Sequence, residues 1–383
     1  MPQNKKIRFS GKRNKKSGPR GEKSQSQKFR SSNGPSDAEL NNLLSAFQNG
    51  QFDQTEKLAV SLTKRFPDHP FPWKVMGVLL QAQGKLSDSL VACQKSAQLS
   101  PQDADTHNNL GITLHALGRL DEASESFTQA LSIRPENAET HNNLGVILKQ
   151  LGKLEEAEVS FAKATVLKPD YAEAYFNLGD ARQELGRLEE AKSSYILATQ
   201  VKPEFAEAYF NLGNTLKELG KLEEAEVSLM KAIDLKGDFV EAHNNLGNTQ
   251  RELGKLESSE SSYKQAIAMQ PENARYHNNL GMTLEDSDRL HDAEASFARA
   301  LALKSDYSEA HNHLGRIFKK LGRLGEAEIS YARAISLNPN YVEAHSNLGD
   351  LLLIMGRHSE ALGEKKKGGG FISFDLSSGW RVL

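Results

Sequence analysis

Side chains able to do chemistry recur in this chain on one spacing, 34 residues. Histidines keep it at His107, His141, His243, His277, His311 and His345. Asparagines keep it two residues later, at Asn109, Asn143, Asn177, Asn211, Asn245, Asn279 and Asn347, and acids keep it at Asp105, Glu139, Glu173, Glu207, Glu241, Glu309 and Glu343. A file of imidazoles invites a metal reading. If each period is one unit in a stack, equivalent residues stand ~10 Å apart, whereas two ligands of one zinc must lie within ~4 Å. Trp73, Tyr175 and Tyr209 also fill the histidine slot, so the slot asks for shape and packing. No metal site and no cofactor is expected.

The asparagines need an account of their own, because asparagine competes for backbone hydrogen bonds and is poor inside a helix. A carboxamide carries a donor and an acceptor, so a row of them can pair with the peptide groups of an extended ligand whatever its side chains. Three residues of extended chain span ~10 Å, which matches one unit of a stack. Recent duplication copying a neutral residue would leave the same row. On the peptide reading, replacing Asn177, Asn211 and Asn245 with alanine weakens ligand binding and barely moves the melting temperature. The acids lie four residues before the asparagines, on the same helical face. They make one lip of a groove that favours basic peptides, or they complement helix dipoles; both readings stand.

Catalytic patterns are absent from the sequence. The run from Gly77 to Gly84 and Lys85 resembles a phosphate loop only loosely, since the spacing is wrong and Leu86 stands where a hydroxyl would hold magnesium. The expectation is a protein that is not an enzyme. Cys93 is the sole cysteine of the 383 residues, so there is no disulfide framework, and a reducing, cytoplasmic setting is expected. The formal net charge of −2 conceals an asymmetry: residues 1–35 carry +10, residues 365–383 carry +3, and residues 36–364 carry −15. Residues 1–35 are too polar to bury a core and read as a disordered basic arm, with charge suited to nucleic acid or an anionic surface.

Glycines supply the scaffold on which these rows are placed. One series runs from Gly77 through Gly111, Gly145, Gly179, Gly213, Gly247, Gly281 and Gly315 to Gly349. A second trails it by seven residues, from Gly84 to Gly356, with Asp288 in place of one member. Units therefore begin at 36, 70, 104, 138, 172, 206, 240, 274, 308 and 342, the first lacking its early glycine. Within 206–239, Tyr209, Leu212, Leu216 and Leu219 and then Leu222, Ala225, Leu229, Ala232 and Ile233 fall at helical spacing on either side of Gly220. Each unit is a helix, a glycine turn, a helix and a link that mostly contains proline, with Gly237 and Ser305 in its place in two units. Asp103, Asn137, Asp170, Asn273 and Asn340 stand ready to cap the next helix. Arg182 and Gln250 in apolar slots, and Asp288 at the turn, predict looser units, with 274–307 the weakest.

The recurring Tyr209, Leu212–Gly213, Ala225 and Ala232, and Tyr175, Leu178–Gly179, Ala191, Tyr195 and Ala198, resemble the pattern of tetratricopeptide repeats over residues 36–364. The resemblance implies an all-α, right-handed superhelical solenoid of 34-residue helix-turn-helix units whose first helices line a concave surface. It implies a non-catalytic scaffold that binds a protein or an extended peptide there. The asparagine row also resembles the repeat half of protein O-linked N-acetylglucosamine transferases. An alternative is therefore the substrate-recruiting half of a truncated glycosyl-, sulfo- or methyltransferase whose catalytic domain is missing. The pattern fails after Ala361, and residues 365–383 read as a glycine hinge and a strand-like remnant of such a domain.

Overall fold

The computed structural model describes residues 34–369 and the backbone of 372–375 and 379–382. The expected basic arm lies outside the described residues except for 34 and 35. Twenty helices, from α1 (Asp37–Gln48) and α2 (Phe52–Arg65) to α19 (Val342–Ile354) and α20 (His358–Lys367), form ten hairpins, one per unit, stacked in chain order. The molecule is an all-α solenoid carrying a short antiparallel ribbon, β1 (Ile372–Asp375) with β2 (Gly379–Val382), at its end. No described helix is long and apolar enough to cross a membrane.

The two glycine series do different work. The second lies at the hairpin turns with φ between 71° and 76°, a conformation that a Cβ disfavours. Asp288 takes the same turn at φ 56°, the sole non-glycine with positive φ among the described residues. The first series marks where the two helices of a hairpin touch. A Cβ on Gly179, in α9 (Ala172–Glu184), would come within 2.6 Å of the ring of Tyr195 in α10 (Leu188–Val201). Equivalent glycines face Phe127, Phe161, Leu229, Tyr263, Phe297 and Tyr331 in the same way. The first unit reverses the sizes: Leu43 stands at the glycine position and Ala59 at the aromatic one, both buried in one cluster.

Polar residues in apolar slots come with partners. Arg182 Nε donates to Glu158 at 2.9 Å and its Nη1 to Ser194 Oγ at 2.9 Å, while Gln250 bonds Glu226 at 3.3 Å and accepts from Ser262 at 2.7 Å. The looseness expected of these units is therefore offset by hydrogen bonds. Along one edge the base after each turn reaches the glutamate of the preceding second helix: Lys255 to Glu226 (2.5 Å), Arg289 to Glu260 (2.6 Å), Arg323 to Glu294 (2.8 Å) and Arg357 to Glu328 (2.6 Å). Each such pair near the surface contributes at most ~1 kcal/mol, but the series ties the units from 206–239 onward to one another.

Two sequence expectations need correction. Asp103, Asn137 and Asn273 do cap helices, each side chain accepting from a backbone N–H two residues on. Asp170 and Asn340 do not, because the N-cap residues there are Tyr171 and Tyr341, one position later. The helical pattern also continues past Ala361 and past the boundary expected at 364, since α20 runs to Lys367. Lys365 makes this work. Its stem covers Gly349 as the aromatics cover the other glycines, and its ammonium escapes to Asp350 (2.5 Å) and Ser346 Oγ (3.2 Å).

Candidate functional site

First helices of successive units touch one another almost throughout the array, whereas second helices are held apart. The row of first helices is therefore the inner side of the curve, and the asparagines lie along it. Each is half-buried except Asn279, which is buried. Asn177, Asn279 and Asn347 donate from Nδ2 to Asn142, Asn244 and Asn312 of the preceding unit, at 2.9, 2.9 and 3.0 Å. Asn211 and Asn245 donate instead to Asp180 (2.9 Å) and Asn214 (2.8 Å), one helical turn further along the preceding helix. Asn109 and Asn143 keep the same phase, and His313 replaces the asparagine in the unit 308–341.

These bonds change the expectation about stability. A carboxamide that bridges units is part of the scaffold, and each bridging bond contributes ~0.5–1.5 kcal/mol. Removing three of them must lower the melting temperature. What remains for a ligand at the half-buried Asn177 and Asn347 is the second N–H and the carbonyl; Asn245 Oδ1 accepts from Asn244 at 3.0 Å, and Asn279 is buried.

The acidic row is exposed except at the half-buried Asp105, and part of its charge is matched. Glu139, Glu173 and Glu207 face Lys168 (3.9 Å), Lys202 (3.5 Å) and Lys236 (3.6 Å), the lysines that follow their own second helices. Those ammonium groups sit over the rings of Tyr171, Phe205 and Phe239 at 4.6, 4.5 and 4.7 Å. Burial and the charges of Glu139 and Glu173 push the Tyr171 phenol up to about 12. Glu241 is likewise exposed.

The histidines are structural donors. His107, His141, His243, His277, His311 and His345 each place Nε2 2.9–3.1 Å from the carbonyl six residues earlier. Trp73 Nε1 makes the same bond at 2.8 Å. Where the slot holds His or Trp it uses an N–H at the end of a ring, and Tyr175 and Tyr209 fill it by shape. Among the described residues no three His, Cys, Asp or Glu converge as metal ligands.

The sequence reading missed a second row on the inner face. Lys149 pairs with Glu184 (2.9 Å), Lys217 with Glu252 (2.8 Å) and Arg251 with Asp286 (2.7 Å), always 35 residues on. Glu285 with Lys320 (2.8 Å) continues the row with its signs reversed, and Arg316 joins it at 2.6 Å. One period plus one residue was the signal available for finding it.

Models of tetratricopeptide repeats match residues 92–123, 113–152, 147–186, 180–220, 206–239, 244–308 and 315–356. The chain belongs to the tetratricopeptide repeat family. No curated protein matches it. Among solved structures it is similar to that of YrrB, a TPR protein with an unusual peptide-binding site (24% identity, TM-score 0.46, 49% of this chain and 96% of that one). It is also similar to MamA (24%, TM-score 0.38, 41% and 92%) and to a tetratricopeptide repeat protein from Parabacteroides merdae (21%, TM-score 0.48, 66% and 99%). Likeness at this level concerns the repeat alone and says nothing of what the groove in this repeat array binds.

Proposed function

We propose that this chain is a non-catalytic protein-interaction scaffold whose inner row of first helices holds an extended, basic peptide segment of a partner. The anchoring of the asparagines carries the reading. Asn177, Asn211, Asn279 and Asn347 each give one N–H to the unit before, which fixes the carboxamide, and at the half-buried Asn177 and Asn347 the other N–H and the carbonyl stay available. A polar group already held by its neighbour loses little entropy when a ligand arrives. The −15 charge of residues 36–364 and the exposed Glu139, Glu173, Glu207 and Glu241 favour a basic ligand.

The test compares two triple variants in peptide binding by fluorescence anisotropy. Asn177→Ala/Asn211→Ala/Asn245→Ala removes inter-unit bonds and groove contacts together. Arg289→Ala/Arg323→Ala/Arg357→Ala removes inter-unit ion pairs away from the inner row. The first lowers affinity about tenfold or more, at ~1.4 kcal/mol per decade, and the second leaves it unchanged. Equal losses in both would mean that affinity follows stability and that the asparagines are not the contact.

A further inference from the structure

In four units the residue just before the ladder position pairs with the last residue of its unit, and the two match in chemistry. Lys74 bonds Asp103 at 2.8 Å and Asn312 bonds Tyr341 at 3.4 Å, but Phe176 packs on Phe205 with ring centroids 5.0 Å apart and Phe210 on Phe239 at 4.7 Å. Elsewhere the first member is Asn108, Asn142, Asn244, Asn278 or Ser346. Two neighbouring units, 172–205 and 206–239, thus put four half-buried phenyl rings beside the ladder.

The exchange is compensated one turn on. Phenylalanine cannot accept the bridging N–H, so Asn211 and Asn245 turn to Asp180 and Asn214, which stand where the earlier units carry Ile112 and Val146. Apolar lining has moved across the groove by four residues, ~6 Å of helix, and the ladder stays whole. Lys202 and Lys236 hold the outer faces of Phe205 and Phe239. These two units carry thirteen Asp/Glu against eight Lys/Arg, a net charge of −5.

From this we infer that residues 172–239 form an apolar specificity site that takes bulky apolar side chains three residues apart on a basic extended peptide. The inference rests on the groove reading above and adds the ligand's side-chain code. Units ~10 Å apart present one aromatic pair to every third residue of extended chain. Partly exposed aromatic clusters are the kind of surface that becomes a binding hot spot.

The test uses labelled twelve-residue peptides of Lys, Ser and Thr: without Phe, with two Phe three residues apart, and with two Phe two residues apart. Anisotropy titrations on the full chain show the three-residue spacing tighter than the other two by roughly tenfold or more. Phe176→Ala/Phe210→Ala, which offers the ladder no new acceptor, erases that preference. Equal affinity for all three peptides overturns the site while the groove stands; no binding by any peptide overturns both. Should the variant fail to fold, a photoreactive benzoylphenylalanine in place of one Phe gives a second measurement. Cross-links within 172–239 support the site, and cross-links confined to other units refute it.

Discussion

Gly179→Ala should destabilise the array even though alanine is the better helix former. The added methyl would stand 2.6, 2.7 and 2.9 Å from three ring carbons of Tyr195. That ring cannot swing aside: it is fully buried, and its hydroxyl lies 2.7 Å from Asp180 Oδ1 and 3.0 Å from Gln183 Oε1, both on the helix that carries Gly179. Overpacking of a fixed group costs ~2–3 kcal/mol, and the gain in helix propensity returns ~1 kcal/mol. The net loss is about 1–2 kcal/mol. Gly349→Ala is the internal control. Its methyl would meet Cγ and Cδ of Lys365, at 2.8 and 3.1 Å, where a flexible stem can yield, and the Ala361 carbonyl only at 3.3 Å. There propensity wins, and the change is neutral or stabilising by up to ~1 kcal/mol. Repeat arrays unfold locally, so amide hydrogen exchange in α9 and α10, and in α19 and α20, is the appropriate assay, with urea melts beside it. Wild-type protection of α9 and α10 in Gly179→Ala, or greater damage from Gly349→Ala, would refute close packing as the reason for the glycine period.

Two further outcomes follow from single residues. Asp288→Gly relieves a backbone at φ 56°; strain of ~1–2 kcal/mol against a glycine entropy cost of ~0.5–1 leaves a gain of roughly 0.5–1 kcal/mol, read as a higher urea midpoint, and a lower one would count against it. Burial, with Arg316 adding to it, holds the His313 imidazole down to about 4, whereas the unfolded value is 6.5. The neutral form is therefore favoured in the fold, and stability is lost as pH falls from 6.5 towards 4, by at most ~2 kcal/mol between pH 7 and 5. Glu285, Glu343 and Arg251 also act on this ring, and Phe297 stacks on it at 5.4 Å. His313→Asn should flatten that slope in denaturation at the two pH values; an unchanged slope would place the titration elsewhere.

The architecture was legible because its causes are local and repeated. Gly220 or Gly179 is required by atoms within its own hairpin, so the requirement prints itself on the sequence once per unit. The histidine slot was half legible: Trp73, Tyr175 and Tyr209 betrayed its shape, but the bond to a carbonyl six residues back could be seen only in three dimensions. The asparagine partners were not legible, because the choice between Asn142 and Asp180 as acceptor depends on whether the preceding unit carries Asn or Phe. Asp170 and Asn340 misled because a one-residue offset moves a carboxylate or carboxamide off a helix end without disturbing the period. Lys365 misled because a lysine whose head reaches Asp350 can do an aromatic's packing, which residue type alone does not reveal.

The change of acceptor along the ladder has a consequence for alignment. A ladder of identical rungs has translational symmetry, and any strand gripped by it could slip by one unit at no cost in energy. Here the rungs at Asn211 and Asn245 are tied to an acceptor one helical turn further along the preceding first helix than those at Asn177, Asn279 and Asn347. Slippage by one unit would carry a peptide group from one kind of rung to the other at the two places where the acceptor changes, between Asn177 and Asn211 and between Asn245 and Asn279. An array of near-identical units has in this way an origin from which position along it can be counted.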